Sequence, residues 1–254
     1  MAAPLRLAGQ HCAVVGATGT IGAHIACAFA RHGAVLSLLG RSALDARPRL
    51  EPELAASAPT DAPPAHRFLR LDVSDPASIK HVFGPPAPDA TAVGPVDVLV
   101  NCAGVSQTTL LRRTPDAELA AIVDTNLLAA MLVCKHARLR PHGCIINVSS
   151  LMANRGGIGA TAYAASKAGL VAFTRALCRE MAARSIRVNA LLPGWVESSM
   201  WNHLKPELKE AFLKDTPLNR VAHPAEVADA ALFLASNRFA NNCVLNLDGG
   251  LSAA

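Results

Sequence analysis

A tyrosine and a lysine spaced one helical turn apart are the residues whose types first point to proton chemistry. The segment TAYAASKAGL (161–170) contains Tyr163, the only tyrosine in the 254-residue chain, and Lys167. Positions i and i+4 of a helix share one face. A free phenol has a pKa of about 10, and an ammonium about 4 Å from the phenolate contributes roughly 4 kcal/mol at an effective dielectric near 20. We therefore predict a phenol whose pKa is lowered by up to about three units. The alternative is a core-edge ring beside a solvated charge.

A glycine-rich segment near the N-terminus has the pattern of a phosphate-binding turn. VVGATGTIG (14–22) follows a predicted strand and opens a predicted helix. Glycines permit a tight turn and a close approach of backbone amides to a pyrophosphate, whose charge the helix N-terminus favours. Ordinary strand–helix turns also use glycine, but the preceding strand favours a dinucleotide site.

The end of the second predicted strand indicates which dinucleotide binds. Enzymes specific for NAD commonly place a carboxylate there, against the ribose 2′-hydroxyl. This chain has Gly40, Arg41 and Ser42 instead. A guanidinium binds a 2′-phosphate through charge-assisted hydrogen bonds, so we predict NADPH as the cofactor. Asp72 ends the third strand, where it either accepts from the adenine amino group or caps the helix that follows.

These residues need a scaffold, and the hydrophobic pattern predicts an α/β one. Short apolar runs alternate with helical patterns, which is typical of βαβ units around a parallel sheet. The predicted strands are 12–16, 35–39, 67–72, 96–101, 143–149, 186–192 and 243–248, and the clearest helices are 20–32, 116–137, 162–183 and 224–235. The expected fold is a Rossmann-type, doubly wound, seven-stranded parallel sheet flanked by helices, in a single domain over residues 1–254.

Three segments interrupt this alternation. Residues 43–65 contain five prolines and 83–95 is also proline-rich, so we expect both to be surface loops. Residues 195–222 form an irregular stretch after the sixth strand, where they are placed to cover a substrate. Trp195, Met200 and Trp201 in that stretch either contact the substrate or pack the loop itself.

The composition narrows the classes of function. The net charge is +5 and the pI is near 9.0, without a run of basic residues or interleaved aromatic residues, which argues against nucleic-acid binding and suits an anionic cofactor. Seven scattered cysteines without a CxxC pair predict reduced thiols and no metal site. We expect no membrane-spanning segment and no secretory signal. The first eleven residues resemble a short mitochondrial presequence only weakly, so mitochondrial matrix and cytoplasm both stay open.

Six motifs, in this order, resemble those of the short-chain dehydrogenase/reductase family. They are GATGTIG (16–22), NCAG (101–104), DTNLLA (124–129), INVSS (146–150), YAASK (163–167) and PGWVESS (193–199). The resemblance covers nearly the whole chain, and it is strongest to the 3-oxoacyl-carrier-protein reductases and their eukaryotic carbonyl-reductase relatives. It implies NADPH-dependent reduction of a 3-oxoacyl thioester to the 3-hydroxyacyl thioester.

The resemblance also implies a role for each matching residue. Asn126, Ser150, Tyr163 and Lys167 match the catalytic four. Tyr163 is the general acid and Ser150 hydrogen-bonds the substrate carbonyl oxygen. Lys167 lowers the tyrosine pKa and holds the nicotinamide ribose, and Asn126 positions a proton-supplying water or, alternatively, only kinks its helix. With the residues argued above, the expected cofactor contacts are Gly16, Thr18, Gly19, Thr20, Ile21, Gly22, Arg41, Ser42, Asp72, Val73, Asn101, Ala103, Gly104, Tyr163, Lys167, Pro193, Gly194, Val196 and Ser198.

The glycine loop departs from the family pattern Thr-Gly-x-x-x-Gly-x-Gly. Val15 stands in place of the threonine, Thr20 stands at the middle glycine, and Gly19 comes one position early. These changes alter local backbone freedom and are expected to weaken cofactor binding without removing the amide-rich turn. Cys102 replaces a common asparagine at little expected cost.

Assembly and partners follow from the resemblance as well. Helices 116–137 and 162–183 are apolar on more than one face, and such helices pack across subunits in this family, which implies a homotetramer or a heteromer with a related chain. Arg184 matches a position that presents a basic residue to acyl carrier protein, with Arg138 and Arg140 nearby. A solvated arginine at a helix end is the alternative. Two other functions stay open: reduction of another ketone, such as a quinone, a steroid or a secondary-metabolite intermediate, and a non-catalytic nucleotide-binding subunit.

Overall fold

The computed structural model has seven parallel strands in one sheet. It describes residues 5–58, 66–85, 91–202 and 204–253. The strands are β1 (His11–Val15), β2 (Val35–Gly40), β3 (Arg67–Arg70), β4 (Val96–Asn101), β5 (Leu139–Val148), β6 (Arg187–Pro193) and β7 (Val244–Leu247). Their order across the sheet is β3-β2-β1-β4-β5-β6-β7. The predicted doubly wound sheet is confirmed, and its strand order reverses between β1 and β4, where such sheets bind ligands.

Helices cover both faces of the sheet. They are α1 (Thr20–Arg31), α2 (Ala43–Ser57), α3 (Pro76–Phe83), α4 (Asp116–Val123), α5 (Ala129–His136), α6 (Met152–Arg155), α7 (Thr161–Glu180), α8 (Ser199–Asn202), α9 (Pro206–Asp215) and α10 (Pro224–Ser236). Helices α1, α2 and α10 pack around Phe29 and Leu36 on one face. Helices α3, α5 and α7 pack around Leu99 and Ile145 on the other. The strands are therefore buried on both sides, which explains their continuous apolar runs.

The predicted surface loop at 43–65 is wrong over its first part, because α2 lies there. Pro48 and Pro52 stand inside this helix, and an internal proline removes an amide donor, which is why the pattern favoured a loop. Leu50 and Leu54, one turn apart, are fully buried. Their burial against the α1 side of the sheet offsets the lost hydrogen bonds.

The other two interrupting segments also contain more structure than expected. In the predicted loop at 83–95, Val93 is buried and its N–H donates to the carbonyl of Val82 at 2.8 Å. The stretch 195–222 contains α8 and α9, so half of it is helical rather than irregular. Parts of the two predicted loops, 59–65 and 86–90, lie outside the described residues.

The predicted helix 116–137 is one rod with a π turn in its middle. Helices α4 and α5 flank the five-residue π turn at Asp124–Leu128, and such turns are frequent at functional sites. By length and composition alone, Asp116–His136 is long and apolar enough to cross a membrane. Core helices pass the same test, and this rod packs along α7.

Candidate active site

The carboxyl ends of β1, β4, β5 and β6 surround a cavity of about 320 Å³. The motif residues are separated by more than a hundred positions in sequence, yet they meet here because parallel strands end at the same edge of the sheet. The sequence-predicted residues that line the cavity are Gly16, Gly19, Thr20, Ile21, Gly22, Gly104, Ser150, Tyr163, Lys167, Pro193, Gly194, Val196 and Ser198.

The phosphate loop is built on two glycines that leave no room for a side chain. A Cβ on Gly16, whose φ is +83°, would lie 2.6 Å from the backbone nitrogen of Ala103. A Cβ on Gly22 would lie 2.2 Å from the carbonyl oxygen of Gly16, whereas one on Gly19 would be at an ordinary 3.5 Å. Helix α1 begins at Thr20 without a side-chain cap, so its first amides are available to an anion. This cradle fits the pyrophosphate of a dinucleotide.

Arg41 and Ser42 follow β2 and are both exposed, and neither lines the cavity. The Ser42 hydroxyl donates to Oγ1 of Thr18 at 3.4 Å. A Cβ on Gly40 would lie 3.3 Å from the same Thr18 oxygen, so the threonine fills the place where a larger side chain would stand. The end of β2 therefore offers a cation and hydroxyl groups, as the sequence predicted.

Asp72 makes a local turn after β3. The hydroxyl and amide of Ser74 donate to its Oδ1 at 2.7 and 2.9 Å, and these bonds lower the pKa of the carboxyl, with a smaller contribution from Arg41. The cap of α3 is Asp75, so Asp72 is not a helix cap. Its neighbour Val73 packs against the core. Neither Asp72 nor Val73 lines the cavity, and their contacts with a cofactor stay a prediction.

Tyr163 and Lys167 lie side by side on the first turns of α7. Nζ of Lys167 is 5.8 Å from the centre of the phenol ring. This buried nitrogen donates to the carbonyl of Val148 at 3.0 Å, and burial lowers the pKa of the lysine to about 8. Burial also raises the pKa of Tyr163, an effect that the Ser150 hydroxyl partly offsets.

The predicted lowering of the Tyr163 pKa by Lys167 is therefore wrong for this structure. The ammonium donates to a carbonyl of β5, and removal of the phenol from water raises its pKa by more than the hydrogen bond with Ser150 lowers it. A phenol with a raised pKa carries its proton throughout the neutral range. The site thus presents a proton donor, which suits attack of a hydride on a carbonyl carbon.

Asn126, at the centre of the π turn, clamps the loop after β4 to α7. Its Oδ1 accepts from the amide of Val105 at 2.8 Å, and its Nδ2 donates to the Val105 carbonyl at 2.9 Å and to Oγ of Ser166 at 3.1 Å. A Cβ on Gly104 would lie 3.0 Å from this Oδ1 and 3.3 Å from Nζ of Lys167. The side chain of Asn126 is thus engaged in structure, and its predicted water-holding role stays a prediction.

A buried polar chain below the cavity connects β4, β5 and α7. Asn101 donates to Oδ1 of Asn147 at 2.9 Å, and Asn147 donates to Oγ1 of Thr174 at 2.9 Å. Ala103, two residues after Asn101, contributes its backbone to the contact with Gly16. These contacts fix the positions of β4, β5 and α7 relative to one another, and α7 carries Tyr163.

The segment that follows β6 also lines the cavity. A Cβ on Gly194 would lie 2.7 Å from Cα of Asp248, so this position requires glycine. The Trp195 ring stacks on Phe212 at 4.2 Å between centroids and contacts Trp201 at 5.7 Å. Both tryptophans and Leu204 line the cavity. The side chain of Met200 lies outside the described residues.

Sequence reasoning missed several polar residues of this cavity, among them Gln107 in the loop after β4. Gln107 follows the NCAG motif by three positions and is 6% exposed. No spacing rule marks it. The only available signal was its place in the loop after β4, at the sheet edge where such folds bind ligands.

Comparison with known proteins agrees with this geometry. Residues 16–252 match the family described as Enoyl-(Acyl carrier protein) reductase. A 3-oxoacyl-[acyl-carrier-protein] reductase of Mus musculus is 36% identical over 94% of this chain and 97% of its own length. The FabG protein of that name from Chlamydia muridarum is also 36% identical, over 94% and 96%.

A solved structure shows the same fold with a nucleotide bound. It is a protein of Agrobacterium tumefaciens, provisionally assigned as a 2-deoxy-d-gluconate 3-dehydrogenase, with bound NADP. It superposes with a TM-score of 0.86 at 29% identity, over 100% of both chains. With the nucleotide cradle, the Ser150–Tyr163–Lys167 group and these relatives in view, the chain belongs to the short-chain dehydrogenase/reductase family of oxidoreductases that use a nicotinamide dinucleotide.

Proposed function

We propose that the protein reduces a 3-oxoacyl thioester to the 3-hydroxyacyl thioester, with NADPH as the cofactor. The observation that carries this proposal is that Ser150, Tyr163 and Lys167 line the same cavity as the phosphate loop. The relatives named 3-oxoacyl-[acyl-carrier-protein] reductase support the substrate class.

Each side chain has a distinct task in the proposed reaction. The reduced nicotinamide supplies the hydride. Tyr163 gives its proton to the substrate carbonyl oxygen, and Ser150 hydrogen-bonds the same oxygen and stabilises its developing negative charge. Lys167 holds the nicotinamide ribose and keeps a positive charge beside the phenol. Gly16 and Gly22 bring the amides of the phosphate loop close to the pyrophosphate.

Replacing the phenol by a phenyl ring tests the assignment of the acid. Tyr163→Phe removes the proton but fills the same space, so turnover of acetoacetyl thioesters is expected to fall by at least about a hundred-fold, as when a general acid is lost. NADPH binding, measured by fluorescence titration, should change little. Retained turnover in this variant would reject the mechanism.

The choice of nucleotide depends on Arg41. Its guanidinium, together with Ser42 at the end of β2, is expected to bind the 2′-phosphate, so kcat/KM for NADPH should exceed that for NADH. Arg41→Ala should reduce kcat/KM for NADPH while leaving the NADH value nearly unchanged. A preference of the unmodified protein for NADH would overturn the choice of NADPH.

A second candidate is reduction of a ketone that is not a thioester. Trp195, Trp201 and Leu204 form an apolar wall that suits an acyl chain but also a quinone, a steroid or a secondary-metabolite intermediate. Steady-state rates with acetoacetyl thioesters, free ketones and quinones separate the two functions. Activity confined to non-thioester ketones would favour the second. The presence of Ser150, Tyr163 and Lys167 argues against a non-catalytic nucleotide-binding subunit, which would not need them.

Docking of acyl carrier protein at Arg184 stays a prediction, and the structure limits its form. Arg184 follows the end of α7, and its guanidinium donates to the carbonyl of Leu139 at the start of β5. Tyr163 stands at the other end of that helix, roughly 30 Å away at 1.5 Å per residue. A carrier bound at Arg184, with or without Arg138 and Arg140, is therefore placed to serve the cavity of a neighbouring copy.

Such a neighbour is part of the proposal. Val123 and Leu128 on the α4–α5 rod are 39% and 41% exposed, and the outer face of α7 is a row of exposed alanines. We propose that these faces pair in a homotetramer, with a heteromer containing a related chain as the alternative. The compartment, mitochondrial matrix or cytoplasm, stays open.

A further inference from the structure

We propose that Gln107 is a positioning residue for the proton donor: its side-chain amide caps the N-terminus of α7 and so fixes the turn that carries Tyr163. This inference rests on the proposed role of Tyr163 as the acid. It assigns a task to a cavity residue that no motif marks.

The start of α7 lacks a cap of its own. Ala160 stands at the N-cap position and has no side chain that can accept a hydrogen bond. The first amides of a helix have no partner within the helix, and leaving a buried one unpaired costs about 1–3 kcal/mol. Because Tyr163 is the third residue of α7, the conformation of this first turn determines where the phenol points.

Gln107 supplies the missing acceptor from the loop after β4. Its Oε1 accepts from the amide of Ala162 at 2.7 Å and from the amide of Tyr163 at 3.3 Å. The residue is 6% exposed, so water does not readily replace these bonds. The cap thus comes from a residue more than fifty positions earlier in the sequence.

The other end of the same amide is also held, which fixes its orientation. Nε2 donates to the carbonyl of Thr109 at 3.1 Å and to Oγ1 of Thr114 at 3.2 Å, with a longer contact of 3.4 Å to Oγ1 of Thr161. A backbone carbonyl accepts only and a backbone amide donates only. Exchanging the oxygen and nitrogen of Gln107 would therefore set donor against donor and acceptor against acceptor.

Two side-chain amides, those of Asn126 and Gln107, join the loop after β4 to different parts of α7. Asn126 binds Val105 and Ser166, deeper in the helix, whereas Gln107 binds the turn of Tyr163 itself. Loss of the second contact is expected to release the phenol while the buried helix beyond it stays packed. Lys167, one turn further along, keeps its bond to Val148.

The single tyrosine gives a readout that needs neither substrate nor turnover. Every phenolate absorbance change in this protein belongs to Tyr163. We compare Gln107→Leu, which removes the acceptor at similar size, with Gln107→Glu, which keeps an acceptor and adds a negative charge. Gln10→Leu, the same exchange at the chain's other glutamine, is the matched control. Circular dichroism defines the pH range in which each variant is folded.

Gln107→Leu is expected to lower the pH at which the phenol titrates, because the freed ring gains water, and to reduce kcat by at least about ten-fold through misplacement of the acid. The Kd for NADPH should change less than about three-fold, since the phosphate loop is untouched. Gln107→Glu should raise the phenol's titration pH, because it adds a negative charge, and should recover only part of kcat, because its second oxygen cannot donate to the Thr109 carbonyl. Gln10→Leu should match the wild type.

The proposal is overturned if both Gln107 variants titrate like the wild type, or if Gln107→Leu lowers NADPH affinity and kcat in equal proportion, which would indicate a general structural loss. Should Gln107→Leu fail to fold, an unchanged titration in Gln107→Glu would still overturn it. If the unmodified protein shows no turnover with any ketone, the proposed function fails, whereas the phenol titration still decides the role of Gln107.

Discussion

At the scale of single residues, the buried lysine sets the expected pH response of the site. Lys167 has a pKa of about 8, below its usual value of 10.5, because burial disfavours the ammonium. It is charged below that pH and neutral above it, whereas Tyr163, with a raised pKa, keeps its proton to higher pH. The cation, and not the phenol, is therefore the first group that the site loses as the pH rises.

We expect kcat/KM for NADPH, which reports the free enzyme, to fall as the pH rises through about 8. Lys167→Arg cannot lose its charge in this range, so its profile should stay flat there, at a lower overall rate. A wild-type profile that is constant up to the pH at which the protein unfolds would contradict this assignment of the alkaline limb.

The sequence was sufficient to find these residues but not their electrostatics. Residue type and spacing placed Tyr163 and Lys167 on one helical face, and motif order added Ser150. The sign of the phenol's pKa shift depends on burial and on the direction of the ammonium, which donates to Val148. Gln107 could not be predicted, because the amides that it caps lie more than fifty positions further along the chain.

At the scale of elements, two glycines of the same loop are expected to differ sharply in tolerance. A methyl group on Gly22 would lie 2.2 Å from a backbone oxygen, whereas one on Gly19 would make an ordinary contact at 3.5 Å. Gly22→Ala should therefore lower the melting temperature and weaken NADPH binding at least about ten-fold, since the backbone must shift. Gly19→Ala should leave both nearly unchanged, and equal losses in the two variants would contradict the loop geometry.

The phosphate loop also shows which of its features the family's glycine pattern could predict. The family pattern marked the early glycine and Thr20 as departures, and the structure shows that the turn keeps its tight contacts at Gly16 and Gly22 without a middle glycine. In helix α2, by contrast, the local pattern led to a wrong prediction. Its prolines predicted a loop because local propensity was weighed alone, whereas burial of Leu50 and Leu54 is a tertiary effect that no local pattern reports.

At the scale of the whole molecule, the exposed apolar face of the α4–α5 rod predicts the assembly. Leu128→Glu places a charge on this face and should convert the proposed tetramer into smaller species, measured by sedimentation velocity. Leu44→Glu, at a leucine of α2 that is 55% exposed, is the matched control and should leave the assembly intact. A tetramer that survives Leu128→Glu would place the interface elsewhere.

Helix α7 has a consequence that reaches beyond its own chain. Its first turn holds Tyr163, the proposed acid, while its outer alanines belong to the surface where we expect a second copy to bind. Any tilt imposed on one end of this rigid rod moves the other. Specific activity should therefore decline on dilution below the concentration at which the copies separate, even though each copy carries a complete set of reacting groups.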